Sequence, residues 1–137
     1  VRSEIYSATS YGELRREGLD CERNNRLNPS DARQIPYVEQ LLGDGTYPTI
    51  AVSDNQIAVP DMIRQWVGGD YSVLGTDGFG RSDTRPNLRK FFEIDAQNIT
   101  IAALSSLVRS KEIESDVFDK AMKSLGISRD RNDITSF

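Results

Sequence analysis

An α/β domain of three layers, helices on both faces of a mainly parallel sheet, is what this sequence predicts. Two observations carry that reading. Short runs rich in β-branched and aromatic residues, "SEIYSATS" (3–10), "YPTIAVSD" (47–54) and "YSVLG" (71–75), are separated by stretches with helical spacing. The length of 137 residues suits one core, and the 37% hydrophobic and 28% charged content is that of a folded chain.

The elements follow in order. Residues 3–10 read as a strand, after which Ser10 and Glu13 form a capping box that opens a short helix ending near Gly18. "LDCERNNRLNP" reads as a second polar helical piece, stopped by Pro29. Pro36 suits the first turn of a helix whose face is Tyr37, Val38, Leu41 and Leu42, and Gly43-Asp44-Gly45 is turn chemistry. Residues 47–54 form the second strand, short and apolar, as in a strand covered on both faces. Met62, Ile63, Trp66 and Val67 then fall at helical spacing until Gly68-Gly69. Residues 71–75 are the third strand, and Leu88, Phe91 and Phe92 mark a helix behind Pro86. Residues 95–113 carry apolar side chains around much of the helix girth and are expected to be well buried. Val117, Phe118, Ala121, Met122 and Leu125 share one face of a last helix ended by Gly126. Residues 1–126 are thus expected to be the domain and 127–137 a polar, frayed tail in which Phe137 is a cut end. Three strands are few for so many helices, so a leading strand and helix are expected to be missing from the domain. The start at Val1 rather than Met agrees.

Composition excludes several functions. The net charge is −4 with dispersed cations, which is not the footprint of a nucleic-acid binder. No apolar run nears the roughly 18 residues of a membrane span. The expected location is cytoplasmic. One cysteine, Cys21, allows no internal disulfide, and the absence of histidine removes every triad built on it. Cys21 has no base to activate it, and Trp66 reads as core.

The stretch with most chemical character is "GTDGFGRSDTRP" (75–86). Right-handed crossovers gather the strand exits at one edge, where ligands of open α/β sheets lie; those exits carry Thr9 and Ser10, Ser53 and Asp54, then Thr76 and Asp77. Yet glycines at 75, 78 and 80 match neither G-x-G-x-x-G nor the nucleoside-triphosphate loop, and no lysine follows. The stretch reads as a strand-to-helix turn. Asp77 is a candidate acceptor for the loop's own amides, and Phe79 a candidate anchor against a neighbouring surface. Arg81 and Asp83 are candidates for pairing across a domain boundary, and Ser82, Asp83 or Thr84 for capping the next helix. Each suits an interface as well as a ligand. The Gly43-Asp44-Gly45 triplet invites comparison with the diphosphate motif of thiamine diphosphate enzymes. It precedes a strand instead of following one, and the required asparagine pair is absent near residues 68–75.

The string "GTDGFGRSDTRPNLRKFF", with "ATSYGELRREGLDCERNNRLNP", "IPYVEQLL", "IAVSDNQIAVPDMIRQWV" and "AALSSLVRSKEI", resembles the transketolase-type C-terminal domain of the homodimeric bacterial pyruvate dehydrogenase family. The resemblance covers roughly residues 3–125 in order. Asn24, Asn28 and Asn55 depart from it, standing where the family often has a tryptophan, a histidine and an aromatic. The resemblance implies a subunit that binds thiamine diphosphate and Mg2+, decarboxylates pyruvate and acetylates a lipoyl group on the dihydrolipoyl acetyltransferase core. It implies a homodimer in which this domain gives the cofactor few or no ligands. No catalytic, cofactor-binding or metal-binding residue carries over. Asp77, Phe79, Arg81, Ser82 and Asp83 are left as residues of an interface or of the active-site approach, and the chain alone is expected to bind no cofactor and to be inactive. Two alternatives stay open: a stand-alone module that takes a small anion through Arg81 and the glycine amides, and a domain of a related 2-oxoacid dehydrogenase or transketolase.

Overall fold

The computed structural model describes residues 2–130. The frayed tail expected at 127–137, with Phe137, lies mostly outside the described residues. Helix α1 spans Tyr11–Leu27 and α2 Tyr37–Leu42; strand β1 is Thr49–Val52. A 3-10 helix, Pro60–Trp66, leads to β2 at Tyr71–Leu74, and α3 (Arg85–Phe91), α4 (Ala96–Arg109) and α5 (Ser115–Leu125) follow. The two strands run parallel, with Ala51 opposite Val73 and Val52 opposite Leu74. Side chains alternate across the pleat. Ala51, Tyr71 and Val73 therefore face α1, α2 and the 3-10 helix, in a core with Val38, Ile63 and Trp66. α4 packs on both strands from the opposite face and against α5. The α/β class with a parallel sheet stands as the sequence predicted.

Residues 3–8 are not a strand. Strand-forming side chains fix an extended backbone only where a neighbouring strand takes the hydrogen bonds, and here Ile5 is 93% exposed with no ladder beside it. Ser10 caps α1 by accepting from the Glu13 amide at 3.2 Å, but the Glu13 carboxylate pairs with Arg16 instead of returning to Ser10. Half of the expected capping box forms.

The two helical pieces expected around Gly18 are one helix. Gly18 is not a stop but a point of contact: a Cβ there would lie 2.5–2.7 Å from three atoms of the buried Trp66 ring. The indole N–H donates to Glu22 Oε1 at 3.0 Å, one turn further along the same helix. Gly18→Ala is therefore expected to destabilise. Overpacking costs about 1–3 kcal/mol, and a helical alanine returns only about 1 kcal/mol of it. Chemical denaturation measures the net loss.

The segment from Pro60 is wound more tightly than the 3.6-residue spacing assumed. A 3-10 helix repeats every third residue, and Pro60, Ile63 and Trp66 form its buried stripe while Met62 is exposed. In α2, Val38 and Leu42 turn inward, whereas Tyr37 and Leu41 are exposed, so the expected four-residue face is two stripes. In α4 the buried residues are Asn98 and Ser106, and its apolar girth is half-buried rather than enclosed. α5 ends as predicted, with Gly126 at φ 67° and the Ile127 amide donating to the Met122 carbonyl.

One polar tie joins α4 to the start of β2. Arg109 Nη2 donates to Asp70 Oδ2 at 2.6 Å and to Ser106 Oγ at 2.9 Å. The Ser106 hydroxyl and then Arg109 hold the Asp70 carboxyl below its usual range, outweighing the desolvation that pushes it up. A depressed carboxylate stabilises above its unfolded pKa and loses that contribution as pH falls through the folded value. Asp70→Asn is thus expected to be less stable than the parent at neutral pH and to converge with it in acid. Unfolding midpoints measured from pH 7 downward check the sign.

Candidate functional site

Both strands deliver their chains to the same edge of the sheet, and there the two exit loops are stitched together. Ser53 N–H donates to the Leu74 carbonyl at 3.0 Å, and Thr76 N–H to the Asn55 carbonyl at 2.9 Å. Thr76 Oγ1 donates to the Asp54 carbonyl at 3.0 Å. Asp77 Oδ1 accepts from the Ile57 amide at 2.9 Å. Asp77 thus serves the neighbouring loop's backbone, not its own loop's amides as expected. A carboxylate on an amide is a charge-assisted bond that fixes the spacing of the two loops. Gly75 is buried where they cross; a Cβ there would sit 2.7 Å from the Asn55 carbonyl oxygen and 2.8 Å from the Ile57 amide nitrogen.

Beyond Asp77 the loop turns outward through Gly78, at φ 99°. Phe79 follows, 76% exposed. Arg81 lays its guanidinium 4.6 Å over the Phe91 ring and pairs with Asp83 at 3.7 Å. Asp83 also accepts from the Thr84 amide at 2.7 Å and from Asn87 Nδ2 at 2.8 Å, and these bonds, chiefly that from Asn87, lower its pKa. The pair expected to reach across a boundary is therefore closed within the chain. Thr84 stands at the N-cap of α3 with no side-chain capping bond, and Asp83 holds the entry to that helix instead. Ser82 is exposed beside them.

The structure brings Ser53, Asp54, Thr76 and Asp77 together as the topology required. It does not bring Thr9 and Ser10 into that edge's hydrogen bonds, since Ser10 opens α1. Sequence reasoning missed the part that Asn55 and Ile57 play at the edge, where their bonds across the seam are made by backbone groups. Backbone partners leave no side-chain signature, so only the position of the loop after β1 pointed to them.

At this edge the Asp77 carboxylate is taken by a backbone amide, and no group of three acidic or cysteine side chains suited to a metal ion occurs among the described residues. The Gly43-Asp44-Gly45 turn does not fit a diphosphate either. Gly45 backs onto the Gly69 backbone, where a Cβ would meet Gly69 N at 2.7 Å, and Asp44 accepts from the Thr46 amide at 3.1 Å. These residues do not fit thiamine diphosphate or Mg2+ as ligands.

Cys21 lies elsewhere, in an open depression beside α1 with Arg16, Glu17 and Asn24. Desolvation and then the Glu17 carboxylate, which accepts from the thiol at 3.3 Å, push its pKa up. Alkylation of Cys21 by iodoacetamide is expected to be slower at neutral pH than that of a free thiol, with its rate rising at more alkaline pH. Following adduct mass against time over pH 7–10 checks this (roughly the range over which an ordinary and a raised thiol separate).

A family model for the transketolase-like TK C-terminal domain matches residues 1–95. The chain is 46% identical over 121 residues to the pyruvate dehydrogenase E1 component of Mycolicibacterium smegmatis, covering 88% of this chain and 13% of that protein. It is 43% identical over 132 residues to that of Escherichia coli, and 45% to that of Haemophilus influenzae, covering 96% of this chain and 15% of each of those proteins. No helix among the described residues is long and apolar enough to cross a membrane. With its parallel strands, its glycine-led turn at their carboxyl ends and these similarities, the chain belongs to the transketolase-like C-terminal domain family, as a relative of pyruvate dehydrogenase E1 components.

Proposed function

We propose that this chain acts as the C-terminal domain of a thiamine-diphosphate- and Mg2+-dependent pyruvate dehydrogenase. The full subunit decarboxylates pyruvate and reductively acetylates the lipoyl group of a dihydrolipoyl acetyltransferase core, as a cytoplasmic homodimer. The domain itself supplies no reacting group. Its part is to support the dimer and shape the approach to the active site through residues 75–83, with Asp77, Phe79, Arg81, Ser82 and Asp83 as the residues concerned.

The observation that carries this reading is the use made of the polar groups at the sheet edge. A site built to bind or transform a ligand keeps donors and acceptors free for it. Here Thr76 and Asp77 bond to the neighbouring loop, Asp83 bonds to its own turn, and Arg81 rests on Phe91. The apolar Phe79 is what the loop presents outward, as an interface residue would be.

The anion-module reading predicts the opposite. Titrating the isolated chain with phosphate, pyruvate or thiamine diphosphate by calorimetry is expected to give no saturable heat. Stoichiometric binding of any of the three, lost in Arg81→Gln, would replace this proposal with the second reading.

A further inference from the structure

The chain contains two Asp-Gly pairs, Asp44-Gly45 and Asp77-Gly78. An aspartate followed by glycine is open to rearrangement, because the glycine has no Cβ to hinder attack of its amide nitrogen on the aspartate side chain. The reaction needs an accessible carboxyl, that carboxyl folded back along the following peptide, and an amide N–H that is not engaged elsewhere.

The fold treats the two pairs differently. Asp44 is exposed, in the loop between α2 and β1. Its Oδ1 accepts from the Thr46 amide, two residues on, at 3.1 Å, so the carboxyl lies back over the Asp44–Gly45 peptide. Among the described residues no group accepts from the Gly45 N–H. Asp77 is half-buried and aimed away from its own glycine. Its Oδ1 accepts from the Ile57 amide, twenty positions back, at 2.9 Å, and that bond must break before the side chain can turn toward Gly78.

We propose that Asp44 is a site of spontaneous isomerisation to isoaspartate, while the seam between the exit loops protects Asp77. In the step, the Gly45 nitrogen bonds to Asp44 Cγ and gives up its proton, and one carboxyl oxygen leaves as water. Water then opens the five-membered imide. Opening at Cγ restores aspartate; opening at the main-chain carbonyl leaves the chain running through Cβ and Cγ. Nothing is oxidised or reduced. The product carries one extra backbone methylene at a place with no room for it. Gly45, at φ 66°, backs onto Gly69, where even a Cβ would meet Gly69 N at 2.7 Å. The neighbouring Gly68 N–H donates to the Leu42 carbonyl at 2.8 Å, fastening the end of α2 to the turn that leads into β2. Isomerised chains are therefore expected to lose this contact and unfold at a lower denaturant concentration than unmodified ones.

The test incubates the 137-residue chain in water enriched in oxygen-18 and maps its peptides by mass. Each imide that reopens takes up one heavy oxygen, and the isoaspartyl peptide separates from its parent at equal composition. The Asp44 peptide is expected to take up label about tenfold faster than the Asp77 peptide, the scale set by a hydrogen bond to a charged group. Asp44→Glu, which would need a six-membered ring, is expected to lose the label at that peptide and leave the Asp77 peptide unchanged. Unfolded in guanidinium, the two pairs are expected to label at similar rates. Equal or faster labelling of Asp77 in the folded chain would overturn the proposal. So would no label at Asp44 while the unfolded chain labels both pairs, or a preference for Asp44 that survives unfolding.

Discussion

Replacing Trp66 with alanine is expected to lower stability by about 3–5 kcal/mol, the range for removing a buried tryptophan. A domain of this size holds roughly 5–15 kcal/mol in total, so the variant would stand near the limit of folding. The size follows from where the ring sits. At 4% exposure, Trp66 lies in the core that joins α1, α2 and the 3-10 helix to the inner face of the sheet. Its benzo edge fills the space left open by Gly18, and its N–H satisfies Glu22. Truncation opens a cavity that the helix backbone at Gly18 has no side chain to fill. Trp66→Phe separates the two contributions, since it keeps most of the ring and loses the hydrogen bond, at an expected cost of about 1–3 kcal/mol. Guanidinium unfolding should show a lower midpoint for both, in that order, with an unchanged slope.

Gly75→Ala is expected to be the most damaging change at the candidate site, costing about 2–3 kcal/mol as overpacking against backbone. The added methyl would press on the Asn55 carbonyl and the Ile57 amide, neither of which has a side chain's freedom to move. It would part the two exit loops and lengthen the Asp77–Ile57 bond. Gly80→Ala, five residues on, is the control: a Cβ there meets nothing within 4 Å. Its expected effect lies within about 0.5 kcal/mol of zero. Hydrogen exchange sharpens the comparison, because the Thr76 and Ile57 amides donate across the seam. Both should lose protection in Gly75→Ala and keep it in Gly80→Ala. Equal effects of the two substitutions would mean that the seam is not what orders the loop.

Much of the architecture was legible because it rests on local patterns. The runs at 47–54 and 71–75 gave the two parallel strands, and Ser10, Pro86 and Gly126 marked helix ends through chemistry confined to a few neighbours. Two of the misreadings share a physical cause, since each depended on something far away in sequence. Gly18 reads as a stop until the approach of Trp66 explains it. Residues 3–8 have strand composition, but a strand exists only with a partner. The tighter winding at Pro60–Trp66 showed in the three-residue spacing of Pro60, Ile63 and Trp66, which a 3.6-residue template absorbs without notice. At the site, the turn and its glycines were legible, and so was the meeting of Thr76 and Asp77 with the loop after β1. Their partners were not. Asp77 reaches back twenty positions to a backbone amide, and Arg81 turns inward onto Phe91, a contact that no spacing rule for isolated elements supplies.

The central claim is that this domain belongs to a pyruvate-decarboxylating enzyme without performing the reaction. The most direct measurement is release of CO2 from pyruvate, with thiamine diphosphate and Mg2+ present, by the full-length subunit and by the 137-residue chain side by side. The account predicts turnover by the subunit and a rate for the isolated chain equal to that of buffer. Turnover by the isolated chain, or a subunit that leaves pyruvate untouched, would contradict it.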